Sequence, residues 1–446
     1  MILFYSEEIT PRIEFIAKLI FTKIHWTEVT FTTNKAEFLY SENPKINYSQ
    51  TRFGDETYIK PHGLLSQNTF SKVDVNPFEY KNNTVFFESS PDSVFPFDLF
   101  AASFYIVTRY EEYLETDPDK FGRFPAEKSI LSELNLIKKP VVNIWAGWLA
   151  EEINRRYPRI VFIKRKFRFI STVDIDNAWA YLNKGFWRTK AALIKSVLTG
   201  NFSEFNQRRN VLNGKEKDPY HTYDFLDSVF SGNEEKVKFF FLLGDYGKYD
   251  KNVPHENNGF QKLIQKLSKE YDIGIHPSFA SFRHDGHEKT AVETERLEKI
   301  LGRKVTKSRQ HYLNLKFPDT YQNLIKAGIT EDYTLGYPDQ TGFRAGICTP
   351  FNFYDLQNEK TTDLLITPFQ VMDGTLLRYL KLSPEEAFKE TEMLMKEVKK
   401  VGGTFVSIWH NETVNDKSEW KGYREVFEKM NKLGFQWANE KTDSIH

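Results

Sequence analysis

The stretch Arg165-Lys-Phe-Arg-Phe-Ile-Ser-Thr-Val-Asp-Ile-Asp-Asn-Ala-Trp179 decides how this chain is read. Phe167, Phe169 and Ile170 make an apolar run that Thr172 and Val173 continue with β-branched side chains, the composition of a strand. Asp174 and Asp176 close it. Side chains two residues apart on an extended chain point to the same side, so both carboxylates face one place just past a strand end. Two carboxylates that close raise each other's pKa unless a cation or a donor lies between them. A metal or a general base accounts for such a pair; a solvated turn with an Asx cap is the structural alternative.

Downstream of this strand the pattern alternates. Helix signals at 188–198, 222–230, 259–271, 287–301, 318–327, 384–401 and 422–433 are interleaved with strand signals at 237–243, 272–275, 305–308, 364–368, 404–409 and a short last one at 435–438. Residues 201–220, rich in Asn and Lys, read as a surface loop with some helix. Repeated βα order indicates an α/β domain with a parallel sheet, and periodicity does not say whether the sheet closes into a barrel. No Gly-x-Gly-x-x-Gly follows a strand and no P-loop occurs, so dinucleotide and nucleoside-triphosphate binding lack their usual signal.

Polar residues sit at the strand ends. Asp174 and Asp176, Asp245, His276, Arg309 and His311, and His410 each fall at or just past the C-terminal end of a predicted strand, the side on which parallel α/β folds build their sites. One carboxylate and two imidazoles suit a borderline divalent metal, leaving positions for water and a substrate carbonyl. The second carboxylate then serves as base, and His410 as the acid that protonates a leaving amine or alcohol. Arg309 orients the base or binds an anion. His284 and His287 lie in a charged loop and read as solvated.

Composition narrows the classes. At 446 residues, two domains are expected. Lys+Arg and Asp+Glu both number 61, so no global basic field favours nucleic acid. A single cysteine, Cys348, excludes an intrachain disulfide and a thiolate zinc cluster. No apolar run reaches 18 residues and no signal-peptide pattern opens the chain, so no membrane insertion is expected and the reading is cytoplasmic. Residues 1–160 read as a separate module with strands near 1–5, 27–33 and 84–87 and helices near 11–19, 95–114 and 141–157. Arg109 and Glu112, three apart, read as an ion pair on the second of these helices. The transition lies near Arg156–Lys166, where Pro158 interrupts the helix, and a second domain covers 161–446.

At this point residues 165–435 resemble the polysaccharide deacetylase (NodB-homology, carbohydrate esterase-like) superfamily, and more closely its divergent bacterial branch with an extra N-terminal domain of unknown function. Thr172-Val173-Asp174-Ile175-Asp176 resembles the first motif, Thr-Phe-Asp-Asp-Gly, with Asp174 on the base and the metal Asp displaced to Asp176. His276-Pro277-Ser278-Phe279-Ala280 keeps the first of two metal histidines four apart and has Ala280 at the second. Arg309-Gln310-His311 resembles Arg-x-Pro, with a histidine in place of the proline that supplies a candidate for the missing imidazole. Tyr333-Thr334-Leu335 and Gly342-Phe343-Arg344-Ala345-Gly346 resemble segments that wall the site, and Ile408-Trp409-His410 the closing Leu-x-His.

The resemblance implies a distorted (β/α) barrel with a smaller N-terminal α/β or α+β domain. It implies a hydrolase that uses a divalent metal, most simply Zn2+, to remove an N- or O-acetyl group from a carbohydrate. Asp176, His276 and His311 would hold the metal, with Asp174, His410 and Arg309 catalytic. Tyr246, Tyr312, Arg344 and Trp409 would contact substrate, with Trp179 a further ring for stacking on a sugar. Two alternatives stand beside it: a catalytically impaired carbohydrate-binding relative, and a metal-dependent amidase acting on a non-sugar C–N bond.

Overall fold

The computed structural model describes residues 1–114, 117–160, 162–163, 165–282 and 286–440; His284 lies outside them. The N-terminal 160 residues begin with β1 (Ile2–Tyr5), whose four side chains are all buried, followed by α1 (Pro11–Lys18). Thr10 caps α1 by accepting from Ile13 N, and Pro11 fills the first turn, where its missing N–H costs nothing. Next come β2 (Val29–Thr32), α2 (Lys35–Tyr40), β3 (Lys45–Asn47) and β4 (Thr57–Tyr58), which make a parallel sheet in the order β2-β1-β3-β4. A hairpin of β5 (Phe78–Tyr80) and β6 (Asn83–Val85) precedes α3 (Leu99–Val107), α4 (Ile130–Glu133) and α5 (Val141–Arg156).

The helix expected over 95–114 is shorter. Asp98 accepts hydrogen bonds from Phe100 N and Ala101 N and so starts α3 at Leu99, and Arg109 turns left-handed at φ 55° just after its end. Arg109 and Glu112 still pair, at 2.7 Å, across that turn and not along a helix face.

Beyond residue 165 the elements are β7 (Arg168–Ile175), α6 (Phe186–Leu198), α7 (Phe202–Leu212), α8 (Tyr223–Phe230), β8 (Val237–Phe241), α9 (Asn258–Leu267), β9 (Asp272–Ile275), α10 (Gly286–Leu301), β10 (Lys307–Ser308), α11 (Asp319–Lys326) and β11 (Glu331–Asp332). They continue through β12 (Phe351–Asp355), β13 (Lys360–Ile366), β14 (Val371–Met372), α12 (Pro384–Val401), β15 (Thr404–His410) and α13 (Tyr423–Ala438). Nine strands form one sheet, β12-β13-β11-β10-β9-β8-β7-β15-β14, parallel except for the edge pair β12–β13. This mixed α/β sheet curls into a half-barrel.

Its two faces sort cleanly. Phe240, Tyr333, Phe369, Val406 and Ile408 form a small cluster of their own on the inner side. Phe169, Val173, Phe239, Phe241, Phe405 and Trp409 join the large core under the helices. That is the period-two alternation of strands buried on both faces.

One sequence expectation is corrected here, one is made definite, and one strand is added. Residues 435–438 are the last turn of α13, not a strand; Gly434 is an interior helix position, where a Cβ would come within 2.5 Å of the Phe169 ring. Residues 201–220 contain α7, started by Asn201 accepting from Glu204 N. The antiparallel strand β12 had no expectation at all.

The N-terminal residues share the large core with the rest of the chain. The rings of Phe15 and Phe104 lie 4.9 and 5.2 Å from Tyr354, and the buried Arg12 guanidinium donates to Glu359. Among the described residues, no helix is long and apolar enough to cross a membrane.

Candidate metal centre and catalytic cleft

The central strand β7 lies between β15 and β8, with Asp174 in register with His410 on one side and Phe240 on the other. That register delivers Asp174 and Asp176 to the mouth of the half-barrel next to the ends of β9, β10 and β15. The mouth is a cleft of about 490 Å³ lined by Asp174, Asp176, His276, His311, Tyr312 and His410, together with Asp373, Glu412, Tyr249, Tyr220, Trp420, Phe121 and Arg123, among others.

Asp176, His276 and His311 each place one ligand atom within 4.8 Å of the others. His276 Nε2 lies 3.2 Å from Asp176 Oδ1, and His311 Nε2 lies 3.4 Å from Oδ2. Ligands at about 2.0–2.1 Å from a tetrahedral ion are themselves separated by roughly 3.3 Å, so these spacings fit one cation. The Nδ1 atoms point away. His276 Nδ1 is 2.6 Å from the Arg309 carbonyl and His311 Nδ1 is 2.9 Å from Asp250 Oδ1, so both rings donate from Nδ1 and, when neutral, present the Nε2 lone pair to the centre. Asp176 Oδ1 is buried with no hydrogen-bond partner. The carboxylate lies between two imidazoles with one oxygen orphaned, a lack of bonding that a divalent ion would satisfy.

Burial alone would raise the Asp176 pKa; the charge of His311, the close imidazoles of His276 and His311, and the charge of His410 together hold it well below the ordinary range. His311 responds in the opposite sense. Burial lowers its pKa, but the Asp176 and Asp250 carboxylates outweigh that and push it up to about 9.

Two further pairs flank the centre. Arg309, fully buried, donates from Nη1 to Asp174 Oδ1 at 2.9 Å and to Thr172 Oγ1 at 2.5 Å, and its guanidinium lies 4.6 Å from the Phe240 ring. The other Asp174 oxygen is 4.0 Å from His276 Nε2. On the opposite side His410 Nδ1 is 2.9 Å from Asp373 Oδ1, and its Nε2 is 3.8 Å from Asp176 Oδ2. Burial would lower the His410 pKa; Asp373 and then Asp176 outweigh that and raise it well above the ordinary value, favouring the charged ring. Asp373 itself is fully buried and also accepts from His410 N and Thr413 Oγ1. Burial, reinforced by Asp176, lifts Glu412 to about 7.

The structure thus brings Asp174, Asp176, His276, Arg309, His311, Tyr312 and His410 together. It does not bring the other sequence candidates. Trp409 is fully buried on the outer face, 5.2 Å from Phe427. Arg344 is buried in a network with Glu112 and the Gly336 carbonyl. Tyr246 is 58% exposed beneath the Arg188 guanidinium and is absent from the cleft lining, and Trp179 packs on Phe260. Asp245 is exposed and pairs with Arg296, and His287 is exposed.

Sequence reasoning passed over Asp373, Asp250 and Glu412, and named no residue before 160 as part of the cleft. Phe121 stands 5.3 Å from the Tyr312 ring, and Arg123 donates to the Tyr312 carbonyl at 2.8 Å. The only sequence signal for Asp373 was the apolar pair Val371-Met372 ahead of Asp-Gly.

A profile described as a family of unknown function, DUF7033, matches residues 2–158. No curated protein matches the chain. Among solved structures, a candidate polysaccharide deacetylase from Mycobacterium smegmatis is similar at 12% identity and TM-score 0.38, over 61% of this chain and 86% of that one. The allantoinase Puue is similar at 9% identity and TM-score 0.39, over 61% and 85%. A mutant of a CE4-family pseudoenzyme with restored enzymatic activity is similar at 12% identity and TM-score 0.27, over 61% and 65%. Likenesses at these scores assign no role to any residue of this chain.

Proposed function

We propose that this chain is a metal-dependent hydrolase that removes an N- or O-acetyl group from a carbohydrate. The observation that carries the reading is the Asp176 carboxylate held between two imidazoles with one oxygen orphaned, flanked by a carboxylate fixed by arginine on one side and a histidine fixed by aspartate on the other. Asp176, His276 and His311 are the residues that would hold the ion. When bound, a divalent cation, most simply zinc, supplies Lewis acidity toward the acyl oxygen.

The chain's own groups do the proton work. Asp174, oriented by Arg309, takes a proton from the water that attacks the acyl carbon. His410 gives the proton on Nε2 to the departing nitrogen or oxygen as the acyl bond breaks, releasing acetate and a free amine or hydroxyl. Asp373 holds the ring by Nδ1 throughout and stabilises its charged form, so the acid is loaded at neutral pH. Tyr312, Tyr249, Phe121 and Trp420 give the cleft the aromatic faces on which sugar rings stack.

The test pairs metal analysis with a substrate panel. Protein incubated with zinc or cobalt is expected to retain about one equivalent, to lose it in His276→Ala and His311→Ala, and to release acetate from acetylated sugars. Absence of retained metal would overturn the reading. Turnover of small amides without any acetylated sugar would overturn its carbohydrate half.

A further inference from the structure

The helical hairpin α6–α7 leaves an apolar face without a partner. Phe186, Trp187, Ile194, Val197, Leu198 and Phe202 are all exposed, Trp187 and Leu198 to 81%. Trp187, Ala191, Ile194 and Leu198 follow helical spacing, so they form one stripe along α6, and Ser196 is the only buried residue of that helix. Val197, Leu198 and Phe202 carry the stripe onto the tip of the hairpin. A monomeric surface rarely leaves so continuous a patch bare.

Charge accompanies it. Residues 184–215 hold seven Lys and Arg and one acid, Glu204, a local +6 in a chain whose totals cancel. Glu204 is taken by Arg208 at 2.6 Å, and among the described residues Lys190 and Lys195, which flank the stripe, have no carboxylate partner. An exposed Trp/Phe/Leu stripe bordered by lysines is the composition of a helix that lies in a membrane interface, with apolar side chains dipping below the headgroups and lysine stems reaching back to phosphate. Symmetric pairing with a second copy would set the exposed lysines beside one stripe against those beside the other.

The hairpin is tied to the cleft. Lys184 Nζ donates to Asn177 Oδ1, and the Arg188 guanidinium donates to the carbonyls of Asn252 at 3.0 Å and Lys251 at 3.2 Å; Asn177 and Lys251 line the cleft. We infer that α6–α7 docks this chain on an anionic lipid surface with the cleft mouth at its edge. Resting on the hydrolase reading above, it follows that the acylated sugar is presented on a lipid.

Co-sedimentation with vesicles tests the docking without any chemistry. The protein is expected to bind phosphatidylcholine vesicles containing phosphatidylglycerol, to bind phosphatidylcholine alone far less, and to be released by salt. Trp187→Glu with Leu198→Glu, and separately Lys190→Glu with Lys195→Glu, are each expected to weaken partition about 10-fold or more, with unchanged far-UV circular dichroism. No binding to the anionic vesicles, or binding indifferent to both pairs of substitutions, overturns the docking. A lipid-free dimer dissolved by Trp187→Glu also overturns it, because the face then belongs to a second copy.

A dodecyl N-acetylglucosaminide held in the same vesicles tests the presentation: Trp187→Glu is expected to slow its turnover and spare the same acetylated sugar free in solution. Equal turnover of the vesicle substrate by both proteins overturns the lipid-borne assignment. Vesicle binding with no turnover of either substrate supports the docking and sinks the hydrolase reading alone.

Discussion

Two carboxylates in this protein sit deep among cations, and they are used differently. Glu112 accepts from Arg109 Nε at 2.7 Å and from Arg344 Nε and Nη2 at 3.0 and 2.5 Å. The remaining arginine donors reach Glu111, the Tyr337 hydroxyl and two backbone carbonyls. That network is closed, and it fastens the N-terminal unit to the 342–346 segment. Asp176 is surrounded by three imidazoles and still keeps one buried oxygen unpaired, and Nη2 of Arg309, the residue that holds Asp174, is unpaired too. A closed cluster holds the fold, and an open one is held by the fold for something else.

The sharpest way to break this contrast is to remove the open carboxylate. Asp176→Ala is expected to abolish metal retention and lower turnover by on the order of 10³-fold, at least the loss of an oxyanion donor. Its urea unfolding free energy should shift by only about 1 kcal/mol. Metal analysis, an acetate-release assay and urea titration read all three, and a wild-type metal load would place the ion elsewhere. The closed carboxylate should show the reverse. Glu112→Ala strands two buried guanidinium groups and is expected to cost about 3–5 kcal/mol in urea unfolding, while the folded fraction keeps its metal.

Smaller effects sharpen the open side. Asp373→Asn removes the main charge that raises the His410 pKa, so turnover should fall about 10²-fold at neutral pH. The step needs His410 protonated. The alkaline limb of the pH–rate profile should therefore move to lower pH in the variant; an unmoved limb would remove His410 from the acid role.

His311 gives a pH test of the metal-free protein. Its folded pKa of about 9 exceeds the ordinary 6.5, so its contribution to stability is complete below about 6.5 and is lost as pH rises through about 9. A cation must displace that proton. Metal affinity is therefore expected to fall about tenfold for each pH unit below 9, a slope that His311→Gln would flatten. The smallest effect belongs to Tyr246→Ala: the ring lies outside the cleft, and turnover should change less than about twofold.

Much of the cleft was legible because Asp174, His276 and His410 each directly follow a run holding branched or aromatic residues. Thr172-Val173 announces Asp174, Ile273-Gly-Ile275 announces His276, and Val406-Ser-Ile408-Trp409 announces His410. Asp373 and Asp250 have no such herald. β14 is two residues long, and Asp250 sits in a loop that folds back so that its carboxylate accepts from Phe279 N and Ala280 N as well as touching His311.

Trp409 was misplaced for a reason visible in the strand period: with His410 on the cleft side, its neighbour faces the helices. Arg344 was drawn to the site by its neighbourhood in sequence, and its partner Glu112 lies 232 residues away, beyond any local pattern. The strand expected over 435–438 fails because α13 runs on through Gly434, the place where that helix touches Phe169.

The loop carrying Phe121 and Arg123 belongs to the first 160 residues yet stands against Tyr312 in the cleft. The cleft wall therefore draws on residues from both sides of position 160: exchanging the leading unit for another would redraw that wall while leaving every proposed metal-binding side chain in place.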